Sequence, residues 1–141
     1  MANEGMDFVR SMSIATSGLR AQAGRMRVIS ENIANADSTA QTPGGDPYRR
    51  KVPTFSSELD RSLDARVVSL GRIRPDNSSF RVKHEPGNPA ADASGNVKYP
   101  NVNPVVEMTD MRDAQRSYEA NLNIISATRR MIQRTLDILK A

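Results

Sequence analysis

Apolar residues recur at helical spacing at both ends of this chain and lose that spacing in between. From about Asp7 to Ala36, alternate steps of four and three land on Phe8, Met12, Ala15, Leu19, Gln22, Met26, Ile29, Ile33 and Ala36. Only Gln22 in that series is polar. A three-four alternation is the a/d seam of a coiled coil, because it keeps one face of an α-helix turned toward a partner helix. Asp7 suits a cap or first-turn acid. The run ends at Asn35-Ala36-Asp37-Ser38, residue types that favour turns over helix.

The helical period returns at Pro104. Asn103 can cap and Pro104 suits the first helical position. The second seam reads Met108, Met111, Gln115, Tyr118, Leu122, Ile125, Arg129, Ile132, Leu136 and Leu139. A further apolar edge, Ile124, Ala127, Met131 and Ile138, widens the stripe in its last half and predicts contact with more than one neighbour. Acids lead (Glu107, Asp110, Asp113, Glu119) and bases follow (Arg129, Arg130, Arg134, Lys140), an order that complements the helix dipole.

Between the helices the character changes. All eight prolines but Pro104 lie in residues 37–103. β-prone runs at Lys51–Phe55, Arg66–Ile73, Ser79–His84 and Val97–Tyr99 are separated by turn material such as Pro43-Gly44-Gly45-Asp46-Pro47 and Pro86-Gly87-Asn88-Pro89. The expected fold is therefore mainly α with a small β region. Helices at 1–36 and 104–141 pair as a coiled coil, and an irregular, loop-rich β segment fills 37–103.

Composition narrows the functions open to such a chain. It has 141 residues, 4% aromatics and no Trp, which argues against a large self-sufficient core. Gly18 and Gly24 lower the helix propensity of the first seam. That helix is expected to be weak alone and firm only when packed against the second helix and other subunits. The two glycines read either as tolerated helix interior or as sites of close helix approach. Five methionines on the seams fill core space and adapt to non-identical neighbours.

The net charge is +4, with the excess in the middle segment. That is sparser than a nucleic-acid-binding stripe. The cluster Arg49-Arg50-Lys51 reads as a solvated strand edge, or else as a contact for an acidic partner. There is no cysteine, so disulfides, thiolate metal sites and Cys nucleophiles are excluded. His84 is the single histidine and lies in a loop-like stretch, without a second ligand or a positioned nucleophile. Asp92-Ala93-Ser94-Gly95-Asn96 reads as a turn; a calcium loop would need an acid where Asn103 stands. Nothing predicts a cleaved signal at the start, a membrane span, a metal or a cofactor.

Several stretches also resemble a known family. Ser17-Gly18-Leu19-Arg20-Ala21-Gln22 and Ser30-Glu31-Asn32-Ile33-Ala34-Asn35-Ala36 are similar to the N-terminal signature of bacterial flagellar rod and hook proteins. Pro47-Tyr48-Arg49-Arg50-Lys51, Tyr99-Pro100-Asn101-Val102-Asn103 and Arg116-Ser117-Tyr118-Glu119-Ala120-Asn121 resemble the proximal rod (FlgC) branch. The resemblance implies a non-enzymatic structural subunit of the basal-body rod. It would be exported without a cleaved signal by the flagellar export apparatus and would assemble axially in the periplasm to transmit torque.

Implied partners are further copies of the chain, the rod proteins FlgB, FlgF, FlgG and FliE, and the membrane-embedded ring at the rod base, with no nucleic acid. The terminal helices would form the inner core and the β segment the outside. The expected assembly interface is Phe8, Met12, Leu19, Met26, Ile29, Ile33, Met108, Met111, Tyr118, Leu122, Ile125, Ile132, Leu136 and Leu139. A soluble helical adaptor or export-linked binding protein of the same system is the alternative that these helices allow.

Overall fold

A computed structural model describes residues 2–141, with side-chain surroundings from residue 5 onward. Two long helices take up about half of the chain: α1, Ala2–Ala34, and α2, Pro104–Lys140. Among the described residues six short strands lie between them: β1 Lys51–Val52, β2 Phe55–Asp60, β3 Ala65–Leu70, β4 Arg74–Pro75, β5 Arg81–His84 and β6 Asn96–Tyr99. They form three antiparallel pairs, β1–β4, β2–β3 and β5–β6. The expected class, mainly helical with a small β region, is the one observed.

Local chemistry explains most boundaries. α1 begins well before Asp7, which instead pairs with Arg10 one turn on at 3.8 Å. At its other end the Asn35 side chain donates to the Glu31 carbonyl at 2.8 Å and satisfies a last-turn acceptor. Asn103 caps α2 as its position predicts: its Oδ1 accepts from the Val105 N–H at 3.1 Å.

The expected strand Lys51–Phe55 is divided at Pro53-Thr54, where proline has no N–H to give a ladder. The run Arg66–Ile73 is strand only as far as Leu70, and β4 begins beyond it at Arg74. Most of β2 goes unpredicted, because nearly all its residues are exposed and no apolar-polar alternation marks it.

The chain forms two compact units, and each helix contributes a segment to both. In the first unit (residues 1–26, 54–72 and 113–141) α1 has a neighbour on two sides. Toward α2, a Cβ added at Gly18 would lie 2.8 Å from Nδ2 of Asn121. Toward the β2–β3 hairpin, one at Gly24 would lie 2.7 Å from Cδ2 of Leu70, and Ser17 Oγ accepts from the Val68 N–H at 3.1 Å. Gly18 is therefore a site of close helix approach, whereas Gly24 makes room for the hairpin and not for a helix. The helices run antiparallel, with Phe8 and Val9 beside Ile132 and Leu136, and Ala15 beside Asn121 and Ile124.

In the second unit (residues 27–53 and 73–112) Ala90, Val97 and Tyr99 make a small core, with Ala40 and Ala91 packed on it. The 37–47 loop docks there through the Gly44 N–H on the Ala90 carbonyl, 3.1 Å, and through Asp46 with Lys98, 2.9 Å. Asp92 spends its carboxylate on the turn before β6, accepting from the N–H groups of Ser94 and Asn96 at 2.8 and 2.9 Å.

Candidate functional site

Two features carry information about what the chain does: a buried polar cluster in the second unit, and the distribution of apolar side chains along α2.

The polar cluster is built on Asn32 of α1 and Glu107 of α2, both 0% exposed. Asn32 Nδ2 donates to the Lys51 carbonyl at 2.8 Å and to Glu107 Oε2 at 3.2 Å. Its Oδ1 accepts from the Lys51 N–H at 2.9 Å and the Tyr48 hydroxyl at 2.8 Å. The Asn32 amide thus stands in for a neighbouring strand, pairing both polar groups of one backbone residue.

Asn101 instead bridges two backbone segments beside it. It accepts from the Arg50 N–H at 2.8 Å and donates to the Asp76 carbonyl at 3.0 Å. Arg50 completes the cluster, donating from Nε to Glu107 at 2.5 Å and lying near Asp76 and Asp110.

A buried carboxylate is tolerable only when paired and hydrogen-bonded, and Glu107 has both. Burial works against the Arg50 charge, but the Glu107 hydrogen bond and the charges of Glu107 and Asp76 outweigh it, so its pKa is raised. Burial, together with the charges of Glu31 and Glu107, pushes the Tyr48 hydroxyl up to about 12.

The basic cluster Arg49-Arg50-Lys51 is consequently not a solvated edge. Arg50 is committed to Glu107, and Lys51 pairs with Glu31. Arg49 stacks over the Phe80 ring at 4.2 Å and donates to the carbonyls of Asp76 and Ser78. These side chains bind their own chain.

The helix seams divide. Ile29 is buried, and Phe8, Met12, Leu19, Met26, Ile33, Met111, Tyr118, Ile125 and Ile132 are half-buried. Met108, Leu122, Leu136 and Leu139 stand exposed, at 55%, 46%, 45% and 67%. The covered stripe of α2 still alternates three and four, but it runs Glu107, Met111, Ala114, Tyr118, Asn121, Ile125, Thr128, Ile132. Every second position is therefore one residue earlier than the apolar pattern predicts.

The small side chains Ala114 and Thr128 are buried, at 0% and 6%. Large apolar residues flank the stripe on both sides: Leu122 and Leu136 on one, Ile124, Met131 and Ile138 on the other.

The sequence alone assigns no role to Asn32, Tyr48 or Asn101, whereas it reads Arg50 as part of a solvated edge or an acidic-partner contact and Glu107 as an acid complementing the helix dipole. Four of these five belong to stretches that carry the family resemblance, and Glu107 has seam spacing with Met111 and Ala114.

Comparison with known proteins bears on the same segments. The family described as "Flagella basal body rod protein" matches residues 12–40, and that described as "Flagellar basal body rod FlgEFG protein C-terminal" matches residues 93–138. The FlgC basal-body rod protein of Agrobacterium fabrum is 54% identical, over 91% of this chain and 92% of its own length. That of Bacillus subtilis is 37% identical over 96% of this chain and 100% of its own. That of Salmonella typhimurium is 37% identical over 94% and 98%. A similarity of that strength over nearly the full length of each relative shows that the chain belongs to the FlgC family of flagellar basal-body rod proteins.

Proposed function

We propose that the chain serves the rod as a load-bearing axial subunit whose terminal helices pack against those of its neighbours. Membership of the family makes it a structural protein of the flagellar basal-body rod. What supports the finer reading is the exposure of Leu122 and Leu136 on one flank of α2 and of Ile124 and Met131 on the other. A single helix pair cannot cover both flanks. Packing among several subunits can, and its apolar area then stabilises the assembly. At 1.5 Å per residue, α1 and α2 are rods of about 50 and 55 Å, stiff enough to carry torsion along an axis.

In this reading the first and last segments, 1–36 and 104–141, form the inner core, and 37–103 lies outside. The neighbours are further copies of the chain and the rod proteins FlgB, FlgF, FlgG and FliE. The ring at the rod base holds the assembly, and the site of action is the periplasm, reached through the flagellar export apparatus. Among the described residues no helix is long and apolar enough to cross a membrane. The work proposed is mechanical, with no substrate, cofactor or catalysed step.

Leu122→Asp tests the reading. The side chain is already 46% exposed, so the monomer should keep its fold while basal bodies lack the protein and cells stop swimming. Normal swimming with both Leu19→Asp and Leu122→Asp would sink the assignment of the seams to assembly. Recovery of the wild-type chain in a stoichiometric cytoplasmic complex, and never in basal bodies, would favour an adaptor.

A further inference from the structure

α2 carries a second seam that its own chain leaves open. Ser117, Ala120, Ile124, Ala127, Met131, Arg134 and Ile138 follow one another at alternate steps of three and four. Larger side chains (Ile124, Met131, Ile138) alternate with small ones (Ala120, Ala127), and Arg134 takes the next small position. Two heptad-spaced series of this kind on one helix specify two helical partners, because each three-four alternation keeps one line of side chains turned toward one neighbour. The first series is covered in the monomer. The second is open at its large positions: Ile124, Met131 and Ile138 are 48%, 54% and 75% exposed, while Ser117 and Ala127 are half-buried.

At its Ile124 end the seam adjoins α1. Ser11, Ile14 and Ala15 of α1 face Asn121 and Ile124 of α2 across a shallow groove. Ile14, itself 43% exposed, extends the apolar strip onto α1. The alanines leave room for a backbone to approach, and Ile and Met fill the spaces between.

Charge defines the occupant further. Arg130 borders the seam and Arg134 lies within it, both exposed, and the one acid in residues 122–141 is Asp137. An apolar seam edged by exposed guanidinium groups repels a basic helix. It suits a helix that places carboxylates opposite those two arginines.

We propose that the Ile124–Met131–Ile138 seam, with Ile14 beside it, is the docking surface for one acidic amphipathic helix of a neighbouring rod subunit, held by Ile and Met in its apolar centre and by Arg130 and Arg134 at its edge. This rests on the axial-subunit reading and adds to it which face binds and what chemistry it selects.

The absence of cysteine makes the test direct, since any introduced thiol is unique. Chains carrying Met131→Cys, Ile138→Cys or, on the polar face, Glu119→Cys or Gln133→Cys are treated with a maleimide, both as soluble protein and within isolated basal bodies. The expected result is that all four react as soluble protein, while in basal bodies the thiols at 131 and 138 are protected at least tenfold relative to those at 119 and 133. Equal reactivity at all four positions in basal bodies that contain the chain overturns the seam and leaves the rod reading intact. So does equal protection at all four.

Arg130→Glu with Arg134→Glu should abolish incorporation, and Arg130→Lys with Arg134→Lys should restore it. Normal incorporation of the glutamate variant overturns the acidic-partner assignment. Absence of the wild-type chain from basal bodies overturns the axial reading, and this proposal with it.

Discussion

Replacing Asn32, a side chain that is itself fully buried, by alanine removes four hydrogen bonds. Two link it to the backbone of Lys51, one receives the Tyr48 hydroxyl and one reaches the Glu107 carboxylate. Neutral bonds contribute about 0.5–1.5 kcal/mol each and a bond to a charged group about 1.5–3. The Lys51 N–H and Tyr48 hydroxyl lose their partner, and Glu107 keeps only Arg50.

The expected loss is about 3–5 kcal/mol, near the upper end of single-residue effects. For a chain of this size that corresponds to a fall in Tm of about 10 °C or more. Near-UV circular dichroism of tyrosine reads it out: Tyr48 and Tyr99 lie in the second unit, and the chain has no Trp to obscure them. A double-mutant cycle with Glu107→Gln isolates the bond between the two side chains and should show coupling above about 1 kcal/mol. A Tm shift under about 3 °C for Asn32→Ala would refute the claim that this cluster holds the second unit together.

Other outcomes follow from neighbouring features. Acid should loosen the second unit. Hydrogen bonds from Ser78, and then from Arg50, hold the Asp76 carboxyl below its usual value, and Tyr99 and Asn88 do the same for Glu85. A depressed folded-state pKa contributes stability above the unfolded value near 4, and that stability is lost as pH falls through the folded value. Urea midpoints should therefore drop below pH 4, and Asp76→Asn should flatten that drop; an unchanged slope would count against it.

At the other extreme, Tyr48 should ionise only at about 12, and stability should decline as pH rises from 10 toward that value. Ultraviolet titration of wild type against Tyr48→Phe checks this. Gly24→Val forces a side chain into a site where even a Cβ would sit 2.7 Å from Leu70, so overpacking should cost about 1–3 kcal/mol. Thermal melts with a gain in stability would show that the hairpin yields freely.

Much of the architecture was legible because its cause is local. A three-four recurrence of apolar residues requires only neighbours along the chain, so both helices, the Asn103 cap and the turn after Ala34 could be read directly. β2 could not. Its residues are mostly polar and exposed, and what orders them is pairing with β3, for example Ser57 opposite Val68 and Glu58 opposite Val67. Strand pairing is a contact between distant residues and leaves little trace in the strand itself when neither face is fully buried.

The site divides along the same line. The sequence by itself determined two amphipathic helices, a loop-rich middle, and a chain without the residues for thiol or multi-histidine chemistry. Only the tertiary structure decided which line of side chains on α2 is covered. Residues 114 and 115, or 121 and 122, differ by one step, about 100° around the helix, and the apolar pattern favours Leu122 over Asn121. Packing chose Asn121 because it meets Gly18, where α1 has no side chain. That choice leaves Leu122 and Ile124 exposed. The basic cluster was reassigned for a related reason: whether Arg50 faces water or Glu107 depends on a partner 57 residues away. Helical periodicity is set within a few residues of chain, whereas the solvation of a charge is set by whatever the completed fold places beside it.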